Sequence, residues 1–460
     1  MATNMNFTEL GTQPIRSLLI KYATPAVVAM TASSLYNIID AIYIGQGVGA
    51  LAIAGISLTF PVMQLTAAFG AMVGVGAATL LSVKLGEKDY TTARKILGNV
   101  LMLNIIMGLG IGFLMYMFIN PILYFFGASE ETVSYARDFM KIILYGNVIT
   151  HLYLGLNSLL RACGHPKSSM YCTIYTVVLN AMLAPIFIYL LHWGIKGAAF
   201  ATVLSQTIVL LWQFKLFNNP NEFLHFEHGI YKLNKNIVRD IFEIGLSPFL
   251  INLCGCLISV LFNWSLAFYG GDLEIASYGI SNRMIFFFLM VVMGLNQGMQ
   301  PIAGYNYGAR NYRRIDSVLK QTIFAATIVC TIGYMMCMLF SYECVRAFTT
   351  DPELIERAVH DMRIMFTIFP IIGFQIVVTN FFQCIGRVKK SIFLALSRQL
   401  IFVIPALWLL PKFFGCEGIW WATPLADFLA TFTSAFMLYD QRMKWKKKML
   451  NTYGDAAFRM

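Results

Sequence analysis

The sequence predicts an all-α membrane protein with twelve transmembrane helices in two pseudo-twofold related six-helix lobes. Three observations carry the prediction. Apolar runs of about 20 residues recur along the chain, cations collect in alternate breaks between them, and the second half repeats the first at a nearly constant offset.

Of 460 residues, 58% are apolar and 12% are charged, against about 25% charged in soluble domains. So little charge cannot cover a surface in water. The net charge of +11 is spread over short breaks rather than gathered in one patch, so it orients the chain in a membrane and no nucleic-acid partner is expected. The first apolar run, Ser17 to Ile44, exceeds the roughly 7 to 15 residues of a signal-peptide core and lacks a small-residue cleavage site, so it is read as a retained helix. Cys254, Cys256, Cys330 and Cys337 lie inside apolar runs as small hydrophobes. No Cys-x-x-Cys or Cys/His metal spacing occurs, so neither a disulfide framework nor a metal is expected.

Spans fall near 17–44, 53–82, 95–118, 133–159, 169–191 and 196–217, then near 241–269, 275–303, 317–341, 356–384, 391–410 and 418–440. The domain reading is a lobe over 1–217, a cytoplasmic linker over 218–239, a lobe over 240–440 and a basic tail over 441–460. Alternate breaks hold Lys84, Lys88, Arg94 and Lys95; Arg161 and Lys167; Lys232, Lys235 and Arg239; Arg310, Arg313 and Arg314; Arg387, Lys389 and Lys390; and Lys444 to Lys448. The intervening breaks are nearly bare, and Gly270 to Ile275 carries only Asp272 and Glu274. Both termini are therefore expected in the cytoplasm of a bacterial inner-membrane protein, with an even number of spans.

Pro25 pairs with Pro248 at an offset of 223, Gly86 with Gly308, Tyr90 with Tyr312 and Gly164 with Gly386 at 222, and Gly197 with Gly418 at 221. Six spans per half keep the two halves in one orientation, so the repeat is parallel and the cleft between halves is the expected solute path. Two lobes that rock about a midplane cavity suit transport rather than a pore of fixed width.

The motifs then resemble those of the multidrug and toxic compound extrusion (MATE) family, DinF-like branch, along essentially the whole chain. The residues are Leu35-Tyr36-Asn37-Ile38-Ile39-Asp40 in span 1, Arg161-Ala162-Cys163-Gly164-His165-Pro166 after span 4, Asn296-Gln297-Gly298-Met299-Gln300-Pro301 into Gly304-Tyr305-Asn306-Tyr307-Gly308-Ala309 after span 8, and Phe382-Gln383-Cys384-Ile385-Gly386 after span 10. The resemblance implies export of cationic, amphipathic compounds driven by protons or sodium. It needs no cofactor beyond the coupling ion, its partners are small-molecule drugs or organic cations and membrane lipids, and the chain is expected to act as a monomer.

Asp40 is the only acid in the apolar part of span 1, and an unpaired carboxylate at helix centre costs about 2.5 to 3.5 kcal/mol on insertion scales. Its repeat mate is the neutral Asn263. It lies four residues before Ile44, about 6 Å along the axis from the outer end of the span, where it can take a proton from outside and release it inside. Pro25, with no N–H to give the carbonyl of Lys21, is the expected hinge of that span. The alternative for Asp40 is a structural carboxylate capping or bridging helices.

The resemblance brings Tyr36, Asn37, Asn157, Asn180 and Thr202 in as neighbours of Asp40, with Asn180 and Thr202 as candidate ion-coupling residues. It also exposes a departure. Ala184 stands before Pro185, where DinF-like relatives often place a second acid. One carboxylate with Asn180 and Thr202 is a thin ligand set for sodium but sufficient for a proton.

Gln64, Gln297 and Gln300 are candidate cavity residues beside Tyr36, Asn37 and Asn157, as is His151, although intramembrane amides also glue helices together. Arg398 in span 11 and Asp427 in span 12 are the clearest charges of the second lobe, expected as a structural pair and alternatively as a second ion site. A membrane-embedded enzyme is disfavoured, because no convergent nucleophile and base, His-Glu-x-x-His or Walker-A motif occurs. A flippase for lipid-linked saccharides shares the duplicated plan but calls for several cavity cations, where the first lobe offers Asp40.

Overall fold

The structure is a computed structural model. It describes residues 8–48, 50–126, 130, 132–349 and 351–453, leaving out the side chains at 37–38, 41–42, 45–46, 50–58, 272 and 448–453. Twelve helical segments follow the expected order: α1 (Ile15–Gly47), α2 (Ala50–Gly86), α3 (Tyr90–Met117), α4a (Val133–Tyr145) with α4b (Asn147–Ala162), α5 (Pro166–Pro185), α6 (Gly194–Phe217), α7 (Lys235–Tyr269), α8 (Asp272–Gly308), α9 (Tyr312–Leu339), α10a (Pro352–Phe366) with α10b (Phe369–Cys384), α11 (Val388–Leu396, prolonged by a π-helical stretch and Ile404–Phe414) and α12 (Cys416–Tyr453). Among the described residues, nine helices are long and apolar enough to cross a membrane, and eleven spans result when each bent pair counts as one. The twelfth, α12, has the length but carries Asp427 and a polar end.

Spans 4 and 10 are each broken, which apolarity alone did not reveal. α4a meets α4b at 56° and α10a meets α10b at 50°. The breaks fall at Gly146 and at Thr367–Ile368, ahead of Pro370. Pro370 has no N–H to give the Phe366 carbonyl and its ring crowds that carbonyl, which accounts for the second break.

The duplication extends to backbone detail. Lys88 and Arg310, again 222 apart, both take left-handed φ (62° and 57°) as α2 and α8 end, and Gly164 and Gly386 follow suit with φ of 102° and 66°. Asp89 caps α3 by accepting from the Thr92 N–H, and its mate Asn311 caps α9 by accepting from the Arg314 N–H. The Thr92 hydrogen bond holds the Asp89 carboxyl below its ordinary range.

The chain packs as two units, Met1–Cys256 with Met293–Ala309 and Leu257–Val292 with Arg310–Met460. Within the first unit, glycines bring helices to backbone contact. A Cβ at Gly76 of α2 would sit 2.2 Å from the Ile241 carbonyl oxygen of α7 and one at Gly245 1.9 Å from that of Met72. A Cβ at Gly298 of α8 would sit 2.4 Å from the Ala23 Cα of α1. These crossings are repeat equivalents, since 298 − 76 and 245 − 23 both give 222. Gly86 and Gly308, mates of each other, each meet the backbone of the other's helix: their Cβ atoms would lie 1.9 Å from Tyr305 O and 2.0 Å from Val83 O. Small residues let helices approach this closely where lipid removes the hydrophobic drive to associate.

Gly308→Ala must displace backbone rather than a flexible side chain, so it is expected to cost about 1–3 kcal/mol. Gly279→Ala, where a Cβ meets open space, is the matched control. Thermal unfolding of the two purified variants checks this, and equal midpoints would show that the crossing can loosen.

The polar stretch between α6 and α7 folds as a strap on the first unit. Arg94 pairs with Glu227 at 3.2 Å, the Asn99 side chain accepts from the Asn234 N–H at 2.8 Å, and Ile230 is buried over Gly98. His165, in the turn between α4b and α5, meets Glu222 at 3.0 Å.

In the second unit a buried network ties three helices. Glu274, 1% exposed in the first turn of α8, pairs with Arg357 of α10a and accepts from Trp420 Nε1 of α12 at 2.9 Å. One helical turn on, the Ser277 hydroxyl donates to Asp361 at 2.6 Å. In the sequence Glu274 reads as part of a break between spans. The structure makes it a core anion, satisfied by partners 83 and 146 residues away.

Candidate ion and substrate site

Tyr36 and Asp40 are four residues apart on α1 and therefore share a face. α1 runs on to Gly47, three residues past the end read from sequence, which sets Asp40 seven residues, or about 10 Å, inside the helix end. Asp40 is 9% exposed, and its Oδ1 is buried with no hydrogen-bond partner among the described residues. Buried carboxylate oxygens are rarely left so, and the exceptions mark functional sites or bound water and ions.

Tyr36 Oη lies 2.9 Å from Thr202 Oγ1 of α6, and Asn180 Nδ2 of α5 donates to the same oxygen at 3.1 Å. Thr202 in turn donates to the Ala198 carbonyl one turn back at 3.2 Å. A hydroxyl has one hydrogen and two lone pairs. With Tyr36 donating, all three positions on Thr202 are used, so the hydroxyl joins three helices and keeps no lone pair for a cation. Asn180 is 1% exposed and Thr202 7%.

Asn157 of α4b donates to Thr173 of α5 at 3.2 Å, and its Oδ1 is buried without a partner among the described residues. The structure thus brings Tyr36, Asn180 and Thr202 into one cluster and places Asn157 on the helices beside it. The side chain of Asn37 lies outside the described residues. Ala184 is fully buried in an apolar cluster with Ile44, Ile188 and Ala198, so hydrocarbon fills that position.

Pro25 sits inside the continuous α1, and the α8 glycines pack on either side of it, Gly298 against Ala23 and Gly294 against Val27. Gln297 reaches the Met30 sulfur at 3.5 Å while its Oε1 is buried without a partner among the described residues. Gln300 donates to Thr79 at 2.8 Å and to the Val75 carbonyl at 3.3 Å, the pattern of interhelical glue between α8 and α2. Gln64 is half-buried on α2. His151 is fully buried, with Nε2 on the Thr66 carbonyl at 3.0 Å. In the second unit Arg398 and Asp427 pair at 2.5 Å, and the second Asp427 oxygen has no partner among the described residues. Among those residues no group of three or more His, Cys, Asp or Glu is placed to hold a metal ion.

Two stretches, residues 25–186 and 248–409, each match the MatE family model, repeating the offset seen between Pro25 and Pro248. The multidrug export protein MepA of Staphylococcus haemolyticus (strain JCSC1435) is 29% identical over 92% of this chain and 93% of its own length. The solved MATE multidrug transporter DinF-BH is 33% identical over 94% of this chain and 97% of its own, with a TM-score of 0.87. An outward-facing MATE transporter of the MOP superfamily superposes with a TM-score of 0.91 at 23% identity, covering 97% of this chain and 100% of its own, and shows the shared fold. With twelve helices in two lobes common to these neighbours, the chain belongs to the MatE family and is a multi-pass multidrug efflux transporter rather than an enzyme.

Proposed function

We propose that this transporter exports cationic, amphipathic compounds in exchange for protons, with Asp40 as the group that carries the proton. The observation behind this reading is the buried Asp40 oxygen with no partner among the described residues, on a helix where Thr202, the hydroxyl beside Tyr36, is saturated when Tyr36 donates to it. A sodium ion needs several free oxygens in addition to a carboxylate, whereas a proton needs the carboxylate alone. Gaining a proton removes the charge that holds Asp40 to polar surroundings, and α1 then bends at Pro25, where the helical hydrogen bond to the Lys21 carbonyl is missing. The names of the S. haemolyticus and DinF-BH relatives support drug-like organic substrates. The alternation of basic and bare breaks supports a bacterial cytoplasmic membrane setting with both termini inside.

Reconstituted protein loaded with a fluorescent cationic dye tests the ion. A pH gradient imposed at fixed sodium is expected to drive dye uphill, and a sodium gradient at fixed pH is expected to do nothing. The reverse result would transfer the coupling to sodium.

A further inference from the structure

A cavity of about 400 Å³ lies beneath the strap of the first unit, between α6 and the α4b–α5 turn. Its floor is apolar, with Phe223 of the strap 3% exposed, and its polar groups are Ser168, His165, Asn219, Glu222 and Lys215, beside Trp212. Cys163 also borders it, but burial pushes that thiol up to about 12, so it is an inert wall. Glu222 is engaged by His165 at 3.0 Å. Lys215 is exposed and has no carboxylate within ion-pair reach among the described residues, so it faces this cavity as an unpaired cation.

The stripe of α6 that passes the cavity has a fixed chemical order. Ile208, Trp212 and Lys215 stand at i, i+4 and i+7, hence on one face, and run from apolar to aromatic to cationic toward the break assigned to the cytoplasm. Ile208 is 42% exposed and the adjoining Leu211 63%. Trp212 packs on Tyr175 of α5 at 5.3 Å, and Tyr175 stacks on Tyr171 at 6.0 Å, so a row of rings continues round the surface. Aromatic rings favour headgroup depth in a bilayer, and lysines beside them attract phosphate. The order along α6 is that of a glycerophospholipid read from chain to headgroup.

We propose that this cavity holds the phosphodiester headgroup of a cytoplasmic-leaflet glycerophospholipid. The phosphate sits between Lys215 and the Ser168 hydroxyl, the glycerol lies against Trp212, and the acyl chains descend over Leu211 and Ile208. A lipid so placed braces the strap against α6. The assignment does not depend on which ion drives export.

Delipidated full-length protein titrated with phosphatidylglycerol and with dioleoylglycerol, read by native mass spectrometry, tests this. One phosphatidylglycerol is expected to bind in preference to the phosphate-free lipid. Lys215→Ala is expected to weaken it about tenfold, equivalent to about 1.4 kcal/mol, while Lys320→Ala at an exposed site in the second unit has no effect. Unchanged retention in Lys215→Ala overturns the proposal. So does retention that inorganic phosphate alone abolishes and Trp212→Leu leaves intact, which would mark a free-phosphate site. Should Lys215→Ala fail to fold, quenching of wild-type fluorescence by brominated phosphatidylglycerol, with Trp212→Phe as reference, decides the same question: loss of that quenching in Trp212→Phe supports the site, and its persistence overturns it.

Discussion

Asp40→Asn is expected to abolish pH-driven accumulation of a cationic dye in vesicles while leaving dye exchange down its own gradient in place. The substitution keeps the volume of the side chain, so helix packing around a residue 9% exposed is retained and only the exchangeable proton is lost. If one proton moves for one monovalent cation, no net charge crosses. The pH difference is then the whole driving force, at about 1.4 kcal/mol per pH unit, or about tenfold accumulation. Wild type should approach that ratio and Asp40→Asn should stay at equality. Full pH-driven exchange by the variant would reduce Asp40 to a structural carboxylate. The saturated hydroxyl of Thr202 sharpens the contrast, since Thr202→Val should disturb the junction of α1, α5 and α6 without converting proton dependence to sodium dependence.

How much of this was legible in the sequence follows the range of the interactions. Spans and their orientation depend on composition within about 20 residues, and the twelve apolar runs anticipate the helices closely. The duplication was legible because it leaves matching residues at one offset, and the structure adds the matching left-handed turns at Lys88 and Arg310. Asp40 stood out because a lone acid in an apolar run is conspicuous. Glu274 did not, since next to a loop it reads as solvent-facing, and the partners that bury it come from helices far along the chain. The packing of the strap was hidden for a related reason. Residues 218–239 read as a polar linker, and the partners of Glu222, Glu227 and Asn234, on α3 and the α4b–α5 turn, lie far away in the chain. The bend at Gly146 leaves no mark in hydropathy, because both arms of the broken span are apolar.

The ion pair of the second unit gives the other large effect, and exposure decides its form. Asp427 is 2% exposed at the side chain and Arg398 24%, so removing the arginine strands the more deeply buried charge, while removing the acid leaves the less buried one on a long, adaptable stem. Arg398→Met is therefore expected to destabilise the protein by about 3–5 kcal/mol, the usual consequence of unpairing a buried charge. Asp427→Asn alone should cost clearly less, and Arg398→Met with Asp427→Asn should recover most of the loss, since a neutral pair leaves no stranded charge. Thermal unfolding in detergent measures the cycle, and dye efflux under a pH gradient measures function in the same preparations. A structural pair predicts that the double variant transports with unaltered ion dependence once folded. The second oxygen of Asp427, without a partner among the described residues, makes the opposite outcome informative: wild-type stability with lost ion dependence would place a second coupling site on α12.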